Sequence, residues 1–123
     1  MTESRAEPSI FERIAAREIP AQIVAETDRV IAFHDIAPKA PVHVVVTPKN
    51  GDYRDVVELA AGDPGLLAEL VSMAGQIADE LADGQFRLVF NTGAAAGQTV
   101  FHVHAHLLAD RAGGLEEDTL AGE

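Results

Sequence analysis

The sequence predicts one α+β domain, in which an antiparallel sheet of five strands accompanies one long helix and one or two short helices. Three observations predict it: five short runs with strand composition, tight connections between the first three runs, and one long segment whose apolar residues recur at helical spacing. A length of 123 residues and an apolar fraction of 47% suit a single domain with its own core.

The first helix is expected directly after Ser9. Ser9 and Glu12 stand at capping-box spacing, because the serine hydroxyl can accept from the Glu12 N–H while the glutamate bonds back to the serine N–H. Ile10 and Phe11 begin the apolar face of this helix, and Pro20 is expected to end the segment.

Two further helices are predicted in the middle of the chain. Residues 52–60 are expected to form a short one. Asp63 and Pro64 supply the N-cap and the first residue of the long one, which Gly84 is expected to end. Its apolar residues at helical spacing predict a buried face, and they are Leu66, Leu70, Met73, Ile77 and Leu81.

The five predicted strands are short and are separated by turn residues. Tight connections between the first three favour antiparallel pairing, and the valine content of the third is typical of a buried strand that Pro48 stops. The expected bounds are residues 22–26, 30–34, 42–47, 86–91 and 99–108.

Composition excludes several classes of partner. The net charge of −11 argues against a broad nucleic-acid-binding surface, which must neutralise many phosphates. No apolar run approaches the roughly 20 residues that span a membrane, and the first residues lack a signal-peptide pattern. Since there is also no cysteine, we expect a cytoplasmic protein. We expect a flexible tail at 1–8, one domain at 9–110 and an acidic tail at 111–123.

Three of the five histidines lie in the last predicted strand. His102, His104 and His106 occupy positions i, i+2 and i+4, which point to one side of a strand. The apolar residues Val103, Ala105 and Leu107 are then expected to face the core. Three imidazoles on one face of a strand indicate that these side chains belong to one functional site.

A metal site is one interpretation of these histidines. In a strand, the Cα atoms of His102 and His106 are about 13 Å apart, whereas the ligand atoms around one zinc ion lie about 3.3 Å apart. All three side chains therefore cannot bind one ion without a sharp bend, although two of them together with His43 could. We expect no metal and no other cofactor.

A phosphate site with a histidine nucleophile is the favoured interpretation. A neutral imidazole is a competent nucleophile near pH 7, and the central His104 has a possible hydrogen-bond donor on each side. The preceding loop supports this, because Gly93 and Gly97 permit conformations that direct N–H groups at an anion. Gln98 and Thr99 add polar side chains just before the histidines.

The sequence resembles the histidine triad (HIT) family at these residues. Residues 102–108 match the family signature, in which three histidines alternate with apolar residues and two apolar residues follow. Ser9 to Phe11, Ala32 to Pro38, Ala40 to His43, and the stretch from Asn91 to Val100 resemble the histidine triad nucleotide-binding (Hint) branch. The resemblance covers residues 9 to about 109 and implies a half-barrel sheet and a homodimer.

The resemblance also implies a role for each matching residue. His104 is the expected nucleophile, which forms a covalent nucleotidyl intermediate, and His102, His106 and His43 complete its cluster. Asp35 is expected to hold the ribose hydroxyls. The residues expected around the base are Ile10, Phe11, Phe33 and Ile36, and those expected to contact the phosphate and the leaving group are Asn91, Gly97, Gln98 and Thr99.

The implied reaction is hydrolysis of a purine nucleoside phosphoramidate or related AMP conjugate without a metal cofactor. His106 favours hydrolysis by water, since the nucleotidyltransferase branch has glutamine at this position. The chain has no tryptophan and lacks the Trp-Pro ending that shapes the leaving-group side in well-known Hint proteins. A dinucleoside polyphosphate hydrolase and a nucleotide-binding adaptor with little catalysis remain the alternatives.

Overall fold

The computed structural model describes residues 7–115 and contains the predicted five-stranded antiparallel sheet. The strand order is β1-β2-β3-β5-β4, so β3 and β5 lie at the centre and β4 forms one edge. This confirms the predicted α+β class, with one long helix and two short ones. The elements in chain order are α1 (Ile10–Ala15), β1 (Ile23–Glu26), β2 (Val30–His34), β3 (Val42–Pro48), α2 (Val56–Gly62), α3 (Pro64–Ala82), β4 (Arg87–Val89) and β5 (Ala105–Ala109).

One face of the sheet packs against α3 and forms the main core. Val44 and Val46 of β3 contribute to this face, and so do Ala105 and Leu107 of β5. The apolar partners of the histidines therefore face the core as predicted, together with Val103, which is also buried there. The buried residues of α3 that complete this layer are Leu66, Leu70, Met73, Ala74, Ile77 and Ala78.

The opposite face of the sheet packs against α1. Phe11 and Ile14 of α1 form a second, smaller cluster with apolar side chains of β2 and β3, namely Ile31, Phe33 and Val45. Because side chains alternate along a strand, His43 lies on the same face as Val45, and His106 lies opposite Val45 across the β3–β5 pair. The sheet therefore has an apolar core on one side and imidazoles beside a small apolar cluster on the other.

The caps of α1 and α3 form as predicted. Ser9 accepts from the N–H of Glu12 and completes a capping box, and the Asp63 side chain accepts from the N–H of Leu66. α1 is shorter than predicted, because Arg17 adopts a left-handed conformation (φ 66°) and ends the helix before Pro20. No helix among residues 7–115 is both long and apolar enough to cross a membrane.

The short helix α2 begins later than predicted. The expected bounds were 52–60, whereas the helix spans Val56–Gly62 with Asp55 as its N-cap. The residues before it are irregular, and their carbonyls bind the histidine segment: Tyr53 O accepts from Val103 N at 2.9 Å, and Arg54 O accepts from the Gln98 side chain at 2.7 Å.

The last strand is also shorter than predicted, since it spans Ala105–Ala109 rather than residues 99–108. Ladder pairing with β3 stops at Val46 and Ala105. Beyond that point the carbonyl of Pro48 is taken by the His102 ring, and the Val103 N–H is donated to Tyr53. His102 and His104 therefore precede the strand, and only His106 lies within it.

The expected tails fall largely outside the described residues. The described residues do not include 1–6 or 116–123. In the part of the predicted C-terminal tail that is described, Asp110 Oδ1 accepts from the N–H groups of Ala112 and Gly113 and forms a turn after β5. β4 is likewise shorter than residues 86–91, at Arg87–Val89.

Leu70→Ala is expected to lower the free energy of unfolding by about 2–5 kcal/mol, because Leu70 is fully buried between α3 and the sheet. Val57 is 66% exposed on α2, so Val57→Ala should change it by no more than about 0.5 kcal/mol. Urea denaturation of both variants measures the difference. Equal effects would contradict the assignment of the main core.

Candidate active site

Four imidazoles lie together on the α1 face of the sheet, and we call His102, His104, His106 and His43 the histidine row. All four are at least 95% buried. The His104 and His106 ring centroids are 5.1 Å apart, and those of His106 and His43 are 5.2 Å apart. The structure thus gathers the four histidines that the sequence singled out, although strand geometry aligns only part of the row.

The tautomer of His104 follows from one hydrogen bond. Its Nδ1 lies 2.7 Å from the backbone carbonyl of His102. A carbonyl can only accept, so Nδ1 carries the proton and the lone pair of the neutral ring is on Nε2. Phe11 packs edge-on against this ring at a centroid distance of 4.7 Å. In the neutral ring, Nε2 is therefore the nitrogen of His104 that can attack an electrophile.

His102 has partners at both ring nitrogens. Nε2 donates to the carbonyl of Pro48 at 2.7 Å, and Nδ1 lies 2.5 Å from the hydroxyl of Ser9. The ring is thus held between β3, through Pro48, and the N-terminus of α1, through Ser9. Because both ring nitrogens already have protein partners, His102 is less suited than the other histidines of the row to the predicted role of donating to substrate phosphate.

His43 connects His106 to Asp35. Its Nδ1 accepts from the backbone N–H of Lys39 at 3.0 Å, so the proton of the neutral ring is on Nε2. Nε2 lies 3.0 Å from His106 Nδ1 and 3.4 Å from Asp35 Oδ2. Asp35 follows β2, and its backbone N–H donates to the carbonyl of His43, which places the two side chains opposite each other.

The electrostatic environment of His43 favours the neutral ring. Burial lowers the pKa of His43, because desolvation penalises the imidazolium. The Asp35 carboxylate opposes this effect, and the Lys39 ammonium adds to it. The lowered pKa agrees with the tautomer inferred from the hydrogen bonds, in which His43 can donate from Nε2.

A metal ion has one candidate site among residues 7–115. The ligand atoms of Asp35, His43 and His106 lie within 4.8 Å of one another. Binding through His43 Nε2 would require its proton to move to Nδ1, where the N–H of Lys39 already donates. A metal-bound histidine instead normally donates from its second nitrogen to an acceptor. The hydrogen-bond directions here therefore fit a proton on His43 better than a metal.

An apolar pocket adjoins the histidine row. All four residues predicted to surround a base line it, and they are Ile10, Phe11, Phe33 and Ile36. Asp35 lies at its wall, and Ile36 is 95% exposed at its rim. Sequence reasoning missed the remaining lining residues, which are Ile14, Ile19, Pro20, Ala21, His34 and Val45.

The glycine loop before the histidines is closed by its own hydrogen bonds. Gly93 N donates to the side-chain oxygen of Gln98, while the N–H groups of Gly97 and Gln98 donate to carbonyls within the loop. Positive φ angles at Gly93 (91°) and Gly97 (102°) make this turn possible. In this conformation Gln98 stabilises the loop, and the polar residues on either side of it, Thr92 and Thr99, are exposed.

Asn91 lies half-buried between β4 and this loop. Its predicted contact with phosphate or leaving group stays a prediction, as do those of Gly97, Gln98 and Thr99. What the structure shows is that all four belong to the connection leading into the histidine row.

Comparison with known proteins identifies the family. A family model described as HIT domain matches residues 16–113. The chain belongs to the HIT family. An uncharacterised HIT-like protein of Synechocystis is 48% identical over 110 residues, which cover 86% of this chain and 93% of that protein. The purine nucleoside phosphoramidase of Escherichia coli is 40% identical over 108 residues, which cover 86% of this chain and 90% of that enzyme.

Solved structures agree with this assignment. A HIT family hydrolase from Clostridium thermocellum has a TM-score of 0.81 at 40% identity, covering 92% of this chain and 99% of its own. A histidine triad protein from Clostridium difficile has a TM-score of 0.79 at 34% identity, covering 94% and 100%. The resemblance and the fold are confirmed, and the chain is a HIT-family hydrolase.

Two partners of the histidine row in this HIT-family hydrolase were not found by sequence reasoning. The capping box indicated Ser9 as a helix cap, but nothing indicated that its hydroxyl also contacts His102, 93 residues away. The Pro48 carbonyl carries no side-chain signal at all. Both contacts depend on how β3 and α1 pack around the histidines.

The lowered pKa of His43 predicts how stability depends on pH. The unfolded chain has a histidine pKa of about 6.5, so below that value the unfolded state binds more protons than the native state. The free energy of unfolding should therefore fall as the pH drops from about 6.5 through the lowered native pKa. Urea denaturation between about pH 7 and pH 5 measures this, and the fall should be smaller in His43→Gln. A His43 that titrates above 6.5 by NMR would contradict it.

Proposed function

We propose that this HIT-family hydrolase cleaves purine nucleoside phosphoramidates, or related AMP conjugates, through a covalent nucleotidyl intermediate on His104. The observation that carries the proposal is the hydrogen bond from His104 Nδ1 to the His102 carbonyl, which leaves the lone pair on Nε2. The phosphoramidase of Escherichia coli, at 40% identity, supports the substrate class.

The chemistry proceeds in two displacements at phosphorus. First, a bond forms from phosphorus to His104 Nε2 while the bond from phosphorus to the leaving nitrogen breaks, and the departing amine takes up one proton. The ring then carries a positive charge, which the carbonyl acceptor at Nδ1 stabilises. Second, water attacks phosphorus, Nε2 leaves as neutral imidazole, AMP is released, and one proton is returned to solvent.

Neighbouring groups suit the two ends of the substrate. The apolar pocket beside Phe11 and Phe33 offers a surface for a purine ring. Asp35 also lines that pocket, and its carboxylate lies 3.4 Å from His43 Nε2; we propose that it accepts from ribose hydroxyls. The His106 ring is 5.1 Å from the His104 ring, which supports the proposal that it interacts with the phosphate. No step requires a metal ion.

His104→Ala should reduce turnover of an adenosine phosphoramidate by at least about 1,000-fold, since it removes the attacking nitrogen. AMP binding should stay within about threefold, because the base pocket and Asp35 are untouched. A continuous assay of amine release measures turnover, and calorimetry measures binding. His104→Gly provides a matched variant, in which added imidazole should restore part of the activity.

Unchanged turnover in His104→Ala would overturn the proposed nucleophile. Faster cleavage of diadenosine polyphosphates than of phosphoramidates by the parent protein would indicate the alternative hydrolase. AMP binding with no turnover of either substrate class would indicate an adaptor. Mass spectrometry of enzyme quenched at alkaline pH, where a bond between phosphorus and imidazole nitrogen survives, should detect one nucleotidyl group per chain, and its loss in His104→Ala.

We further propose that the protein is a homodimer, as the family resemblance implies. Supporting this, β4 pairs only with β5 among the described strands and so leaves one edge of the sheet open. Phe86 next to this edge is 38% exposed. Sedimentation equilibrium should give twice the chain mass of 13.0 kDa. A single-chain mass at micromolar concentration would contradict the proposal.

We also propose that the protein acts in the cytoplasm. The chain contains no cysteine, so its stability needs no oxidising compartment, and purine nucleotides are intracellular metabolites. Fractionation of cells that produce the tagged protein would test this placement.

A further inference from the structure

Ser9 occupies a junction between α1 and the histidine row. Its hydroxyl accepts from the Glu12 N–H at 3.1 Å, which caps α1. The same oxygen lies 2.5 Å from Nδ1 of His102. Glu12 reinforces the junction, because one carboxylate oxygen accepts from Ser9 N and the other from Gly51 N. The serine thus connects a helix end to a buried imidazole 93 residues later.

The two contacts of His102 assign its tautomer. The Pro48 carbonyl can only accept, so the proton of the neutral ring is on Nε2. Nδ1 then presents a lone pair and requires a donor. The hydroxyl of Ser9 meets this requirement, since it can donate to Nδ1 while it accepts from Glu12 N. Neutral His102 satisfies both contacts at once.

The main chain of His102 carries this constraint to the nucleophile. The carbonyl of His102 is the acceptor for His104 Nδ1, so the direction of that carbonyl decides where His104 Nε2 points. The His102 ring is fixed at both nitrogens and is 1% exposed. A fixed His102 ring limits the movement of the His102 main chain, and with it the carbonyl that orients His104.

We propose that Ser9 is a positioning residue of the active site, whose hydroxyl fixes the tautomer of His102 and through it the orientation of His104. The inference rests on the proposed function, because it assigns a kinetic consequence to that site. The residues after Ser9 also form a wall of the base pocket, including Ile10 and Phe11. Ser9 therefore lies between the proposed base pocket, which begins at Ile10, and the histidine row, where the phosphate would bind.

Three substitutions separate this role from helix capping. Ser9→Ala removes both the cap and the donor, Ser9→Thr keeps both, and Ser9→Asp keeps a good cap but has no proton to donate. For phosphoramidate cleavage we expect kcat to fall about tenfold or more in the Ala and Asp variants, with KM within about threefold. Ser9→Thr should keep kcat within about threefold of the parent.

Asp55→Ala is the matched control. Asp55 caps α2 by accepting from Glu58 N at 2.9 Å, and its side chain is not among the contacts of the histidine row described above. The same loss of a cap there should leave kcat unchanged. A fall in kcat equal to that of Ser9→Ala would show that cap loss alone explains the effect.

Nitrogen-15 NMR of the histidines tests the tautomer without substrate. His102 should be the Nε2–H tautomer in the parent and in Ser9→Thr, and should shift to Nδ1–H or to the imidazolium in Ser9→Asp. If Ser9→Ala fails to fold, the Thr and Asp pair still decides the question. The proposal is overturned if Ser9→Asp retains the parent kcat or leaves the His102 tautomer unchanged. Failure of the proposed function differs, since the tautomer would then change as expected while His104→Ala stayed active.

Discussion

Burying four imidazoles on one face of a sheet is the constraint on which this site depends. A buried polar ring destabilises the fold unless its nitrogens find partners. Here the partners are mostly backbone groups: the carbonyls of His102 and Pro48, and the N–H of Lys39. Because a carbonyl only accepts and an N–H only donates, the same contacts that make burial tolerable also assign a tautomer to His102, His104 and His43.

The position of the proton on each of these rings decides which nitrogen can attack an electrophile and which can donate a hydrogen bond. His104 is left with a lone pair on Nε2, and His43 with a proton on Nε2 next to His106. The neutral state is favoured at His43 because burial lowers its pKa. A cluster of imidazoles could in principle bind a metal, and hydrogen-bond direction is what favours proton chemistry over that use here.

The two faces of the sheet have different roles, since one forms the main core and the other carries the candidate active site. Its α3 face is an apolar core built from alternate residues of β3 and β5, whereas the α1 face carries the histidines and a small apolar cluster. Alternation along β3 puts Val44 in the core and His43 in the site, only one residue apart. Among the described helices, the six-residue α1 therefore packs beside the site, while the 19-residue α3 builds the core.

The sequence by itself determined what depends on neighbours in the chain. The capping box at Ser9, the N-cap at Asp63, the five strands, and the alternation that turns Val103 inward all follow from local spacing. Strand ends did not, because β5 stops where Tyr53 and Pro48 take the hydrogen bonds of the histidine segment. The sequence could likewise indicate which histidines act together, but the proton on the His102 ring depends on Pro48 and Ser9, which are 54 and 93 residues away. Only the tertiary structure decided those partners, since hydrogen-bond direction is fixed by packing between distant segments.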